Sequence, residues 1–183
     1  MQTIDSVDEV FALLAGGGRE AYFGEPVTVL EHSLQAAWFV QRKSAESSLV
    51  VAALLHDFGH LLHEEGEDAA SRGVDTHHEE LGVEALQDHF PAAVLDPIHL
   101  HVAAKRYLCF AEPHYLAALS PASVQSLRLQ GGPMSSAEAE TFLASPHARD
   151  AITLRHADDA AKVEGLAVPV LDSYRPLVEA FWR

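Results

Sequence analysis

The sequence has a single cysteine, Cys109, in 183 residues. A lone thiol cannot staple a chain internally, so no disulfide framework is available, and the usage suits a reducing cytoplasm. Long apolar runs are missing as well; none approaches the ~20 residues that a membrane-spanning helix needs. The opening MQTIDSVDEV has neither the basic start nor the apolar stretch of a secretory leader. Basic residues are scarce. Twelve Lys and Arg face 27 Asp and Glu, a formal charge of −15, which repels phosphate backbones and argues against a nucleic-acid partner. It does not exclude a small anion, because a few cations gathered in a cleft act at short range. The alternation expected of β-strands is absent, as are internal repeats and linkers. With 48% apolar residues, the chain is expected to fold as one all-α domain over 1–183, with no membrane partner. Nothing fixes its oligomeric state.

What is present is a series of helix signals. Ser6 with Glu9 reads as a capping box before VFALLA, closed by Gly16-Gly17-Gly18. Residues 27–43 carry apolar positions at helical spacing, and 46–56 form a third, largely buried helix whose 49–55 run is apolar. A polar, Gly-punctuated loop occupies 64–75. Helices are expected at 77–90 and 92–106, the latter broken or bent at Pro97. Ser120-Pro121 opens another, ended by Gly131-Gly132. Ser135 with Glu138 opens a short one, Ser145-Pro146 one that reaches 162, and a last helix spans 173–182.

The chain holds 12 histidines, and position decides which of them matter. His32 lies inside the second helix. His56-Asp57 ends the apolar third. His78 begins the next, His101 lies on the one after, and Asp158 lies late on the Ser145 helix. Any one of these is an ordinary polar residue. As an ordered set, one or two from each of five helices, they can converge in a bundle core. Imidazole and carboxylate suit first-row ions such as Fe, Mn, Co or Zn. Asp57 has two oxygens and can bridge two ions, with His32, His56 and Asp158 completing one site and His78 and His101 the other. That is a binuclear centre.

Cations accompany the ligands. Lys105 is four residues after His101 and Arg155 three before Asp158, so each shares a helix face with a ligand. His60 follows His56 by four, if helical geometry persists, and Ser123 and Ser126 are three apart. Together they form a candidate oxyanion cradle, suited to a phosphate or phosphonate. Tyr22 and Glu25 lie in a Gly-containing loop before the His32 helix, close enough to fold back over such a site.

The ordered His, His-Asp, His, His, Asp set resembles the HD-domain superfamily. Most of its members are metal-dependent phosphohydrolases, and a minority are mixed-valent di-iron oxygenases. The stretches AYFGEPVTVLEHSLQ, LLHDFGH, HVAAKRYLC, LSPASVQSLRLQGGPM and RHADDAAK resemble the PhnZ-type phosphonate oxygenases over about 22–162. The resemblance implies an HD-domain helical bundle with the metal site in its core. It also implies two irons as an Fe(II)/Fe(III) pair, O2 as co-substrate and a small organophosphonate substrate. His32, His56, Asp57 and Asp158 would hold one iron, and Asp57, His78 and His101 the other. His78 is preferred to His77 because Glu79 follows it, as in the family motif. Tyr22 would occupy a position on the first iron until substrate arrives, and Glu25 would belong to the same cap. With Asp57 these form the implied catalytic set. His60, Lys105, Ser123, Ser126 (Thr in the family) and Arg155 would hold the phosphonate.

The implied reaction is O2-dependent C–P cleavage of a 1-hydroxyalkylphosphonate. The substrate would be 2-amino-1-hydroxyethylphosphonate or its N-trimethyl form, giving phosphate and glycine or glycine betaine. A quaternary ammonium would call for aromatic neighbours, with Tyr22, Phe23, Tyr107 and Phe110 as candidates; a primary amine would call for a carboxylate such as Glu25. Two other readings use the same residues. One is a metal-dependent phosphohydrolase acting on a nucleotide or small phosphate ester. The other is a non-enzymatic metal buffer or interaction module.

Overall fold

The computed structural model describes residues 4–19, 21–22, 24–43, 46–63, 65 and 69–183. Among the described residues the architecture is helical, with one isolated antiparallel bridge between Ala21 and Thr28. The helices are α1 (Val7–Gly16), α2 (Val29–Lys43), α3 (Ser47–Leu55), α4 (His78–Leu86), α5 (Ala92–Ala111), α6 (Tyr115–Ala118), α7 (Pro121–Leu129), α8 (Ser136–Leu143), α9 (Ala148–Ala160) and α10 (Arg175–Phe181). No helix of the described residues is long and apolar enough to cross a membrane.

The caps explain most boundaries. Ser135 and Glu138 form a complete capping box before α8. Thr28 and Glu31 form an equivalent reciprocal pair before α2, at 3.2 and 2.7 Å. At α1 only half the expected box exists: Ser6 accepts from the Glu9 N–H, but the Glu9 carboxylate takes the Asp5 N–H instead.

Several expectations are corrected. α5 runs unbroken through Pro97. A proline this close to the helix start forfeits one backbone bond, and burial of Val94, Leu95, Ile98 and Val102 around it outweighs the loss. Ser145-Pro146 forms a turn ahead of α9, which begins at Ala148 with His147 at its cap. α4 ends at Leu86 and α3 at Leu55. The C-terminal segment opens as a 3-10 turn, Leu171–Tyr174, before α10. The loop at 64–75 contains a 3-10 turn, Ala70–Arg72, and α6 went unread.

α3 is the centre of the packing. Leu49 through Leu55 are all buried, as expected of a helix that is apolar all round. α2, α5 and α9 surround it, α5 and α9 packing most extensively on each other. Large side chains in this core include Ile98 of α5, Leu154 of α9, and Phe58 and Phe90 from the connecting segments, each at most 1% exposed. Each such side chain is worth roughly 1.5–3 kcal/mol of burial. This layer brings the first turn of α2, the end of α3, the start of α4, the middle of α5 and the last turn of α9 to one buried point.

Candidate metal centre

α3 stops where His56 and Asp57 begin, and a 3-10 turn, Phe58–Leu61, follows. Gly59 permits this turn. A Cβ there would lie 1.9 Å from the His78 carbonyl oxygen, so any side chain would push α4, and with it His78, away.

Six side chains converge at 0–7% exposure: His32, His56, Asp57, His78, His101 and Asp158. Asp57 divides them. Its Oδ2 lies 3.6 Å from His32 Nε2 and 3.4 Å from His56 Nε2. Its Oδ1 lies 3.3 Å from His78 Nε2 and 3.7 Å from His101 Nε2. Asp158 Oδ1 joins the first group, 3.4 Å from His32 Nε2. Among the described residues, His32, His56 and Asp57 form one cluster with metal-holding spacing, and Asp57, His78 and His101 another. Of the neighbouring histidines 77 and 78, it is His78 that points inward; the His77 side chain is 59% exposed and faces Glu80.

The imidazoles are oriented as ligands are. His32, His56 and His101 donate Nδ1–H to the carbonyls of Ala161, Ala53 and Ile98 at 2.7–2.8 Å. A carbonyl cannot donate, so these bonds fix the proton on Nδ1 and leave Nε2 a bare lone pair. Yet His32 Nε2 faces His56 Nε2 at 3.1 Å, and His78 Nε2 faces His101 Nε2 at 3.0 Å. At the His32–His56 pair, two lone pairs that close repel unless a cation lies beside them. Imidazole nitrogens ~2.1 Å from one ion stand about 3 Å apart on neighbouring positions. The donor set, four imidazoles and two carboxylates without a thiolate, therefore fits a pair of first-row ions.

Protonation states agree at His56 and His101. Burial pushes His56 and His101 down, the latter well below its usual range, so both stay neutral. Burial also lowers His78, but its hydrogen bond and attraction to Asp57 outweigh that and raise it. Burial raises Asp57, but the surrounding imidazoles, His56 foremost, hold it well below the usual carboxylate range. Asp158 is held down against burial by Arg155, at 2.7 Å, and by His32.

The cluster floors a cavity of about 370 Å³. Tyr22 lies over it, its hydroxyl 2.7 Å from Asp57 Oδ2 and its ring stacked on His32 at 3.9 Å. His60 sits on the other half, stacked on His78 at 4.0 Å. It does not extend α3 one turn beyond His56, because the helix has already ended. Lys105, Ser123, Ser126, Arg155 and Glu25 all line the cavity. Lys105 Nζ donates to Ser126 Oγ at 2.9 Å, and among the described residues no carboxylate lies within ion-pair distance of it. Burial, and then Arg155, lower it to about 7.

Arg155 is held from several sides. Its guanidinium is committed to Asp158, to Asp159 and, through Nε at 3.1 Å, to the Tyr115 hydroxyl. Tyr115 in turn donates to Asp159. Lys162 bridges Ser123 Oγ (3.0 Å) and Glu25 Oε1 (3.2 Å). Tyr115, Asp159 and Lys162 were not singled out from the sequence. The spacing of Asp159 and Lys162, four after Arg155 and four after Asp158, was the available signal. Two aromatic candidates lie elsewhere: Tyr107 packs on Phe142, and Phe110 is 46% exposed. Phe23 is outside the described residues.

A helical bundle whose core joins two histidine pairs through one His-Asp carboxylate defines the HD-domain class, and the family model described as HD domain matches residues 29–128. The chain belongs to the HD-domain family, and within it stands with the phosphonate dioxygenases. It is 41% identical over 162 residues to the glycine-betaine-forming 1-hydroxy-2-(trimethylamino)ethylphosphonate dioxygenase of Leisingera caerulea, covering 88% of this chain and 83% of that protein. It is 43% identical over 177 residues to the hydroxymethylphosphonate dioxygenase of Gimesia maris, covering 96% and 88%. An uncharacterized protein of Acanthamoeba polyphaga mimivirus is 32% identical over 179 residues, covering 97% and 82%.

Proposed function

We propose that this protein is a di-iron oxygenase that cleaves the C–P bond of a 1-hydroxyalkylphosphonate. The overall change is R–CH(OH)–PO3²⁻ + O2 → R–CO2⁻ + HPO4²⁻ + H⁺. The observation that carries the proposal is the adjacency of two parts: a doubled histidine–carboxylate cluster joined through Asp57, and a buried Lys105 amine on the wall above it that has no carboxylate partner among the described residues. The first calls for a metal pair, and the second for an anion beside it.

His32, His56, Asp57 and Asp158 would hold one iron, and Asp57, His78 and His101 the other. When bound, this mixed-valent pair supplies O2 activation and the removal of hydrogen from C1. The protein's own part is orientation and exclusion of water. Lys105, Ser123 and Ser126 would grip the phosphonate oxygens, with Arg155 and His60 flanking them, and so aim C1 at the cluster floor. Tyr22 would cover the first site until substrate displaces it, which restrains oxidation of an empty centre. Glu25, in the same turn, moves with it.

The described cavity walls offer a carboxylate outside the Tyr22 turn, Asp75, and Tyr22 is the one Phe, Trp or Tyr among their described lining residues. That favours an amine with N–H donors, as in 2-amino-1-hydroxyethylphosphonate, over the N-trimethyl form, which gains from cation–π contacts. The acidic composition and single cysteine support a cytoplasmic enzyme with a small-molecule substrate and no nucleic-acid partner.

The test is dioxygen uptake with phosphate release in one sample of iron-reconstituted, ascorbate-treated protein. It is run separately with 2-amino-1-hydroxyethylphosphonate, its N-trimethyl form and hydroxymethylphosphonate. Matched uptake and release is expected, strongest with the primary amine. Phosphate release from esters under argon, without uptake from any phosphonate, would assign the site to hydrolysis instead.

A further inference from the structure

Three cations line the cavity, and they differ in how firmly they are held. Lys105 has no carboxylate partner among the described residues. Arg155 has two, Asp158 and Asp159, both on its own helix. Lys162 has Glu25, at 3.2 Å, with both side chains only 11–13% exposed. Glu25 is carried by a loop, not a helix, and its Oε1 also accepts from Ser120 at 2.5 Å.

That loop is a small closed turn. The Glu25 N–H donates to the Tyr22 carbonyl at 2.8 Å and the Tyr22 N–H to the Val27 carbonyl at 2.9 Å. Gly24 supplies the left-handed residue between them, at φ 79°. Glu25 and Tyr22 are thus joined by one hydrogen-bonded turn, the first pinned to Lys162 and the second set over Asp57. On its other side Lys162 already donates to Ser123, a hydroxyl of the anion cradle, at 3.0 Å.

We propose that Lys162 is a positioning residue that couples anion arrival in the cradle to the Tyr22 turn. Without substrate it anchors Glu25 and so holds Tyr22 down. A dianionic phosphonate on Lys105 draws the Lys162 ammonium from Glu25 and releases the turn. The exchange swaps one counter-ion for another, so the lysine is never left buried and unpaired. This rests on the phosphonate reading above.

Affinity alone is a poor readout, since removing Lys162 deletes a substrate contact and an opposing latch together. Amide hydrogen exchange over 21–28 separates them. It is measured on iron-loaded protein under argon, with and without saturating 2-amino-1-hydroxyethylphosphonate or hydroxymethylphosphonate. Wild type is expected to exchange slowly alone and at least ~10-fold faster with phosphonate. Lys162→Met is expected to be fast throughout, and Lys162→Arg to restore the phosphonate dependence. Glu25→Gln breaks the same pair from the loop side and is expected to match Lys162→Met without ligand, which guards against a folding defect. Equal ligand-free exchange in wild type and both latch-breaking variants overturns the latch, whatever the phosphonates do. A released Lys162→Met beside a wild type that no phosphonate moves overturns the hand-over; the phosphonate reading falls only if those compounds also give no dioxygen uptake in the assay above.

Discussion

The Tyr22 hydroxyl donates to Asp57 Oδ2 across 2.7 Å while its ring lies flat on His32. Burial, then the charges of Asp57 and Asp158, push the phenol well above its usual range, so it remains a neutral donor when no cation lies beside it. A bound ferric ion would invert that balance and favour the phenolate. Iron-loaded wild type is therefore expected to show a visible phenolate-to-iron absorption that fades when phosphonate binds under argon. Tyr22→Phe is expected to retain its metal and lack the band. A band that survives Tyr22→Phe would remove the tyrosine from the metal.

Asp57 touches both histidine pairs, whereas His101 belongs to one. Loss of the shared carboxylate and loss of a single imidazole should therefore differ in metal count. His101→Ala is expected to fall from about two metals per chain to about one, and Asp57→Asn to lose nearly both, because binding energy at each half passes through Asp57. Elemental analysis after desalting reads this directly. Equal loss in the two variants would mean that Asp57 does not join the halves.

That these side chains could converge was legible because His56-Asp57 ends an apolar helix and His32, His78, His101 and Asp158 fall on separate helices, which a bundle core can bring together. Lys105 and Arg155 were legible from spacing, four after His101 and three before Asp158 on the same helix faces. What the sequence could not show is how a side chain divides its bonds. Arg155 turns toward Asp159 as well as Asp158, and toward Tyr115, 40 residues away on α6. Local spacing carries no trace of that last contact. Tyr107 failed as a cavity aromatic because it lies two residues from Lys105, on the opposite side of α5. Pro97 was over-read, since a proline near a helix start costs little where buried neighbours hold the turn.

Lys105 is a costly residue in the metal-free, ligand-free protein. Its folded pKa of about 7 lies below the ordinary 10.5. Below pH 7 both states carry the proton and the folded state bears the whole penalty, about 5 kcal/mol at 1.36 kcal/mol per pKa unit. Between 7 and 10.5 the unfolded chain binds the extra proton, so the penalty shrinks as pH rises. Lys105→Met is expected to raise the Tm of the metal-free protein on the order of 10–20 °C at pH 6 and to give no gain above pH 10.5. It is also expected to weaken phosphonate binding roughly 10- to 100-fold. Calorimetry at the two pH values checks the first, and anaerobic titration the second. A Tm gain independent of pH would assign the effect to packing.

Asp159 lies outside the metal clusters yet governs one of the candidate ligands. With Tyr115 it holds one edge of Arg155, leaving the other edge to Asp158 Oδ2 and directing Oδ1 toward His32. Asp159→Asn removes the charge that balances this guanidinium. Arg155 then has a single carboxylate to satisfy it and competes with the metal for Asp158. Metal affinity, measured by competition with a chelator, is expected to fall about 10- to 100-fold, the usual cost of disturbing a group that orients a ligand. Tyr115→Phe should fall less, because it leaves the charge balance intact and removes one hydrogen bond. If Asp159→Asn binds metal as wild type does, Asp158 is oriented by its own helix alone, and the Arg155 network serves the cavity wall instead.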